Sequence, residues 1–434
     1  MKIKFKRLIV LLSLISLVGC GNNGSSSEQV SNNSGSSSEQ VSSNNSSILN
    51  TTDYEVIDKS VSNVKTKDGS YVMPFNTIVT LRTFCGKDYN DIYPTFNTEM
   101  QRLHILFDRY NDFVDKDGKD IINLKDINES YGSGDKLIVD QDLIDLLNLS
   151  IELSELTQGY FNPTLGELID TWNYRYEEGK KYVRFSPYCF EEEDPSVDDI
   201  NSSKEKVIPY SELKDYLIVN DEDNSVEFKK YKDVEKITLS LGAIAKGYAV
   251  EKAKAIVDMF NTSAMIDGGS SSSYGIGKNP NPSRNYWLLG IASPYKVAMT
   301  PQAIVNIKLE DTYTLSVSGD YESSYKTKEG ILRHHILNPY SGYPENYYRV
   351  VSVKSESRSD VLDGLSTAIF NIEDKETIKE IVSNIEEHYD IEIALMLEKE
   401  IDKENKKVDL YLTESYEQLI TKYNSKYYND KTLI

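Results

Sequence analysis

The feature that most constrains this chain is a stretch that cannot fold. From Gly21 to about Ser47 the sequence is nearly all Ser, Asn and Gly, with an imperfect repeat in which Ser25–Ser31 returns as Ser36–Ser42. So few apolar side chains cannot offset the entropy of ordering the backbone, and the segment is expected to be a disordered tether. What precedes it is also outside any fold. Lys2, Lys4, Lys6 and Arg7 form a basic start, Leu8–Leu17 is an almost wholly apolar run, and Leu17-Val18-Gly19-Cys20 closes it. That order reads as a secretory signal, and the apolar run is short for a membrane span. The expected organisation is a signal at residues 1–19, a tether at 20–50 and one folded unit at 54–434.

Charge narrows the partners. With the signal removed, 44 basic residues face 69 acidic ones, a net charge of −25. Such an excess argues against nucleic acid, whose phosphates require Lys and Arg, and against a peripheral grip on anionic lipid. Beyond Cys20 only Cys85 and Cys189 remain, too few for a disulfide framework or a Cys-rich metal site. Whether they pair is left open by the sequence.

Within the folded unit, Val72–Phe84 reads as strand. Helices are expected at Phe96–Phe107, Leu137–Leu156, Tyr248–Phe260 and Asp360–Ile372, the last with Ser359 as N-cap. Further strands are expected at Ala264–Asp267, Tyr286–Ala292, Ala303–Leu309 and Val350–Val353, and residues 177–206 read as an acidic inserted loop. Strands and helices interleave without regular alternation, which favours an α+β fold over a doubly wound parallel sheet.

Four segments carry chemistry. Gly159–Gly166 (GYFNPTLG) is a tight turn whose backbone could meet a ligand, or an ordinary loop. Ser240–Ala249 (SLGAIAKGYA) runs small residues into a helix start beside Lys246, a setting for phosphate; alone it is equally an ordinary strand-to-helix turn. Ile266–Gly277 is rich in Gly and Ser and suits a phosphate or a hairpin loop. The densest segment runs from Ser318-Gly319-Asp320-Tyr321 through His334-His335-Ile336-Leu337-Asn338-Pro339 to the helix holding Asp363 and Thr367. Those two residues are four apart and share a helix face. A carboxylate and a hydroxyl so placed suit Mg²⁺, although a solvated helix face would look the same. The remaining histidines, His104 and His388, fall in no motif.

In this order the segments resemble the FAD:protein FMN transferase family, also called ApbE. The resemblance runs from about Pro74 to Val382, beginning at Phe75-Asn76-Thr77-Ile78-Val79-Thr80 and ending at the Asp363–Ala368 helix. It implies a T-fold-related α+β domain of two lobes, with mixed or antiparallel sheets and packed helices. It further implies Mg²⁺ held by Asp363, Thr367 and the Ala243 carbonyl. FAD would lie along Tyr160, Phe161, Asn162, Lys246 and Ile336, with Phe75 and Tyr110 as further contacts. Ser240 stands where many relatives carry Asp and would touch the cofactor. Asn162 and Asp267 also depart from the family pattern, the latter placing a negative charge near the expected phosphates.

The implied reaction moves FMN from FAD onto a Thr or Ser hydroxyl of an exported or membrane electron-transfer protein, releasing AMP. His335 is the candidate base, with Asp320 as alternative or orienter. The L-V-G-C segment resembles a lipobox, which implies a lipid on Cys20 and a place at the extracytoplasmic face of the cell membrane. Two other classes stay open: an FAD pyrophosphatase using the same metal pair, and a non-catalytic flavin-binding lipoprotein.

Overall fold

The computed structural model describes residues 54–177, 180–185, 192–269, 271–295, 302–321 and 323–434. The expected signal, the tether, Cys20 and Cys189 lie outside these residues; Cys85 is a free thiol.

Nine strands form the main sheet: β1 (Ile57–Ser60), β2 (Val79–Thr83), β3 (Ala264–Gly268), β4 (Ser272–Ile276), β5 (Tyr313–Gly319), β6 (Val350–Ser355), β7 (Ala394–Asp402), β8 (Lys407–Leu412) and β9 (Tyr428–Leu433). Their order across the sheet is their order along the chain. Every pair is antiparallel except β8–β9. An antiparallel sheet laid down in chain order with helices in its long connections is the α+β architecture the sequence suggested.

Both faces of this sheet are covered, which alternation of side chains makes possible. Leu81, Ile266, Val351, Val353, Leu395 and Leu397 enter a large core shared with five helices. The intervening Met265, Leu315, Val350 and Met396 enter a second core closed by a three-stranded sheet of Trp287–Ala292, Ala303–Leu309 and Ile420–Tyr423. The five helices are Gly86–Phe107, Gln141–Leu156, Ala245–Asp258, Ser359–Phe370 and Lys375–Tyr389. Two of them build the site and are called here the lysine helix (Ala245–Asp258) and the aspartate helix (Ser359–Phe370). Among the described residues no helix is long and apolar enough to cross a membrane.

Several expectations change. Val72–Phe84 is not one strand: a short 3-10 turn, Pro74–Asn76, interrupts it, with Phe75 and Asn76 both left-handed at φ 54°. Two consecutive non-glycine residues in that region are strained, and composition alone does not reveal such a break. Ser359 is not the N-cap of the aspartate helix. Arg358, at φ 68°, holds that position without a side-chain capping bond, and the Ser359 N–H donates to Glu251 instead. The segment 177–206 is more than a loop. Lys180–Val183 pairs with Tyr174–Glu177 in a hairpin, and Val197–Lys204 is a helix capped by Ser196. Its few apolar residues decide this: Phe185 and Ile200 bury against Leu168, Trp172, Tyr325 and Leu337 in a third, small core.

Candidate functional site

The lysine and aspartate helices cross closely because Gly247 has no side chain. A Cβ there would stand 2.3 Å from the Ser359 carbonyl oxygen and 2.5 Å from the Asp363 Cβ. The contact lets the Gly247 N–H donate to Asp363 Oδ2 at 2.9 Å. Gly247 is the third residue of its helix, so that N–H is one of those a helix start leaves without an internal partner, and Asp363 satisfies it. Ala243, in the turn just before the helix, lines the same cavity. Thr367, one turn along the aspartate helix, donates to the Asp363 carbonyl at 3.2 Å and lies 3.5 Å from the Ser318 hydroxyl. Lys246 reaches the same place from the first turn of its helix, donating to the Gly242 carbonyl at 3.0 Å and standing 3.9 Å from Asp363.

These groups form one wall of a cavity of about 400 Å³, a volume suited to a cofactor-sized ligand. Phe75, Asn76, His104 and the Asp108-Arg109-Tyr110 turn also line it. So do Ser318, Gly319, Tyr321 and His335–Leu337. Ser240, Asn162, Leu165 and Ile169 also line it. A second glycine matters here: Gly269, at φ 78°, passes so close to Thr77 that a Cβ would meet its Oγ1 at 2.1 Å. Only glycine lets the β3–β4 turn sit against the start of β2, and Gly269 and Ser271 then line the cavity.

His335 opens onto the cavity while its backbone is pinned by an N–H bond to the Ser323 carbonyl at 3.1 Å. Desolvation, reinforced by the Lys246 ammonium, holds its pKa below the ordinary histidine value. Water in the cavity reaches the ring and moderates that shift without reversing it. The imidazole is therefore neutral at physiological pH and free to accept a proton. His334 differs. It is fully buried, its Nε2 facing the Glu345 carbonyl at 2.9 Å and its Nδ1 accepting from the Ile336 N–H at 3.3 Å.

Of the residues singled out in sequence, the structure brings Phe75, Tyr110, Asn162, Ser240, Ala243, Lys246, His335, Ile336, Asp363 and Thr367 to one cavity. Four others fall elsewhere. Asp320 points away from the cavity and grips Arg349, so it is placed neither to act as a base nor to orient His335. Phe161 is buried in the main core, and Tyr160 packs edge-on against Tyr340 with ring centroids 5.0 Å apart. The reason is the turn itself: Gly159 reverses the chain so that the two aromatic rings serve packing. Asn162 faces the cavity with its amide already committed, donating to the Ile208 carbonyl and accepting from Thr164. Asp267 sits in β3 opposite Thr80 and Ser273 rather than on the cavity wall.

His104 is the residue the motifs missed. Its Nδ1 accepts the Phe75 N–H at 3.2 Å, its ring meets Phe75 edge-on at 5.6 Å, and its Nε2 stands 3.6 Å from Asp108. It thereby props the strained Phe75–Asn76 turn. The available signal was the His104–Asp108 spacing of four residues at a helix end, which is too common to stand out.

The donor set fits a hard cation: a buried carboxylate, a hydroxyl and a backbone carbonyl of the turn before the lysine helix, all oxygen. Among the described residues no cluster of three or more His, Cys, Asp or Glu could hold a metal. A cation here would rest on one carboxylate and would keep positions open for phosphate oxygens.

Comparison with known proteins points to one family. A model described as the ApbE family matches residues 75–393. The FAD:protein FMN transferase of Treponema pallidum is 26% identical over 260 residues, spanning 56% of this chain and 63% of that protein. The Vibrio cholerae enzyme of the same name is 25% identical over 282 residues, spanning 63% of this chain and 72% of its own. Among solved structures, the apbe protein of Thermotoga maritima superposes with a TM-score of 0.61 at 22% identity, over 85% of this chain and all of that one. The flavin transferase ApbE of Vibrio cholerae gives a TM-score of 0.59 at 18% identity, over 84% and 99%.

Proposed function

The chain belongs to the ApbE family, and on that premise we propose that its cavity binds FAD and that the protein transfers FMN from it to a hydroxyl side chain of another protein. The relatives from Treponema pallidum and Vibrio cholerae are named for that activity. The observation that carries the reading is the junction of the two helices, where Asp363, Thr367 and the turn at Ala243 meet Lys246 at the wall of a cofactor-sized cavity.

Asp363, Thr367 and Ala243 would hold Mg²⁺, which when bound neutralises diphosphate charge and polarises it toward displacement. Lys246 supplies a second, tethered positive charge for the diphosphate. Phe75 and Tyr110 offer aromatic surface to the flavin, and Ile336 lines the cavity next to His335. The Thr or Ser oxygen of the acceptor forms a bond to the FMN phosphorus of FAD. The bond from that phosphorus to the AMP oxygen breaks, and AMP leaves with the electron pair. The hydroxyl proton goes to the neutral imidazole of His335. Positioning and charge neutralisation carry most of the catalysis in such a step.

The test is AMP release from FAD by the tether-free protein, with Mg²⁺ or EDTA, with and without an acceptor domain. Mg²⁺-dependent AMP accompanied by a flavin adduct on the acceptor is the expected result. Free FMN with no adduct would replace transfer by hydrolysis. Bound FAD without AMP in every arm would leave only a binding protein.

Residues 1–50 supply the rest of the proposal. A lipid on Cys20 and a flexible tether would hold the domain at the extracytoplasmic face of the membrane, where exported acceptors carrying the target Thr or Ser are found.

A further inference from the structure

His335 is delivered to the cavity by a piece of structure that cannot stand alone. Ser324–Lys326 and Leu332–His334 pair as a two-stranded hairpin, three residues to a strand and outside the larger sheets. A hairpin of that size is marginal in water and needs support from elsewhere in the fold. Alternation divides the supports between its two faces. His334 turns one way and packs edge-on against Phe370, with ring centroids 5.2 Å apart. Arg333 and its cross-strand partner Tyr325 turn the other way, and both meet Asp194. Asp194 Oδ2 accepts from Arg333 Nε at 2.9 Å and Nη2 at 2.7 Å, while Oδ1 accepts from the Tyr325 hydroxyl at 2.8 Å.

Asp194 belongs to the acidic stretch between residues 177 and 206, which takes no part in the chemistry of transfer. Just before it, the Glu192 N–H donates to the Lys326 carbonyl at 3.0 Å, so main chain and side chain both join this stretch to the hairpin. The contact differs from an ordinary surface pair. Tyr325 is fully buried, the Arg333 and Asp194 side chains are only 14% and 26% exposed, and both carboxylate oxygens are engaged by charge-assisted bonds. The neighbouring Lys328–Glu193 pair, at 63% and 75% exposure, contributes little by comparison. The Arg333 guanidinium also lies 5.7 Å from the Trp172 ring centre and 5.6 Å from that of Tyr343. Phe185, from the same acidic stretch, shares the third core with Tyr325 and with Leu337, which lines the cavity. Only the buried His334 separates Arg333 from His335, which leaves the chain little slack. We propose that Asp194 is a positioning residue for the transfer: by clasping Tyr325 and Arg333 it fixes the hairpin, and with it the place of the His335 ring in the cavity.

That the ring acts on FAD rests on the function proposed above; that Asp194 holds the hairpin does not. Amide hydrogen exchange, which needs no flavin, reads the clasp by itself. In Asp194→Ala the amides of residues 323–336 should exchange about tenfold faster, with those of the nine-stranded sheet unchanged. Equal exchange in the variant and the native protein overturns the clasp. Single-turnover transfer reads the positioning. Asp194→Ala should lower its rate about ten- to a hundredfold with FAD affinity changed far less, and Asp194→Glu should restore part of the rate. In a His335→Ala background the same substitution should cost little further, since no imidazole is left to position. Full additivity of the two losses, or an unchanged rate with His335 in place, overturns positioning. Asp194→Asn keeps the volume and an acceptor for Tyr325, and carries both measurements if Asp194→Ala does not fold. Native protein that transfers no flavin would sink the proposed reaction, while the exchange result would still decide the clasp.

Discussion

The carboxylate of Asp363 accepts the backbone N–H of Gly247 at 2.9 Å, a bond between two helices that is possible only because residue 247 has no Cβ. This contact satisfies an N–H that the start of the lysine helix leaves without an internal partner, and it fixes the carboxylate beside Lys246. Gly247→Ala should therefore force the helices apart, costing about 1–3 kcal/mol of stability, and should abolish Mg²⁺-dependent AMP release. Thermal unfolding and AMP release measured on one preparation check both effects.

Asp363→Asn keeps the shape and an oxygen for the Gly247 N–H but removes the charge. AMP release should fall by about a hundredfold or more, with FAD still bound in the absence of Mg²⁺. Unchanged Mg²⁺ dependence in this variant would rule the residue out as a metal ligand.

For His335 the sign follows from a folded pKa held below the ordinary value by desolvation and then by Lys246. A base must be unprotonated, so the rate should be flat through neutral pH and fall only on the acid side, below the usual histidine range. Lys246→Met removes the nearby positive charge and should move the acid limb to higher pH, whatever it does to the overall rate. His335→Ala should remove the limb together with most single-turnover transfer. An unchanged rate would end its role as base.

Stability in acid has a separate source in His334. Burial lowers its pKa to about 3, whereas the unfolded value is about 6.5. Between those values the unfolded chain binds the extra proton, so stability is intact above the unfolded pKa and is lost as pH falls toward the folded one. Protonation would also break the bond that His334 Nδ1 accepts from the Ile336 N–H. His334→Gln should be less stable at pH 7 but should lose less on acidification, as Tm measured at several pH values would show.

Cys20→Ser should move the full-length protein from the membrane fraction to the soluble exported fraction without altering AMP release by the folded part. Retention in the membrane would require another anchor.

The legible part of the site was the part written locally. Lys246 follows small residues at a helix start, Asp363 and Thr367 sit one helical turn apart, and His335-Ile336 falls within a Pro-bounded turn, so each could be found from a few neighbouring letters. Apolar periods gave two helices nearly to their starts, that from Tyr248 beginning at Ala245 and that from Asp360 at Ser359. The helix expected from Phe96 begins at Gly86, the one expected from Leu137 begins at Gln141 after a short strand, and Lys375–Tyr389 was not foreseen. Tyr160, Phe161 and Asp320 were misplaced for one shared reason. A motif states that a residue is near the site but not which way its side chain turns, and all three turn into packing or an ion pair.

Sequence by itself determined the class of fold, the places of four of the long helices and the residue types available for a metal and a diphosphate, because these depend on periodicity and short-range spacing. The tertiary structure alone decided that Gly247 hands its N–H to a residue 116 positions away, that His104 supports the Phe75 turn, and that Asp320 serves Arg349 rather than the cavity. Each is a contact between segments far apart in the chain. Such contacts are set by how closely two elements pack and which buried polar groups must be satisfied, and neither is encoded in any single stretch of residues.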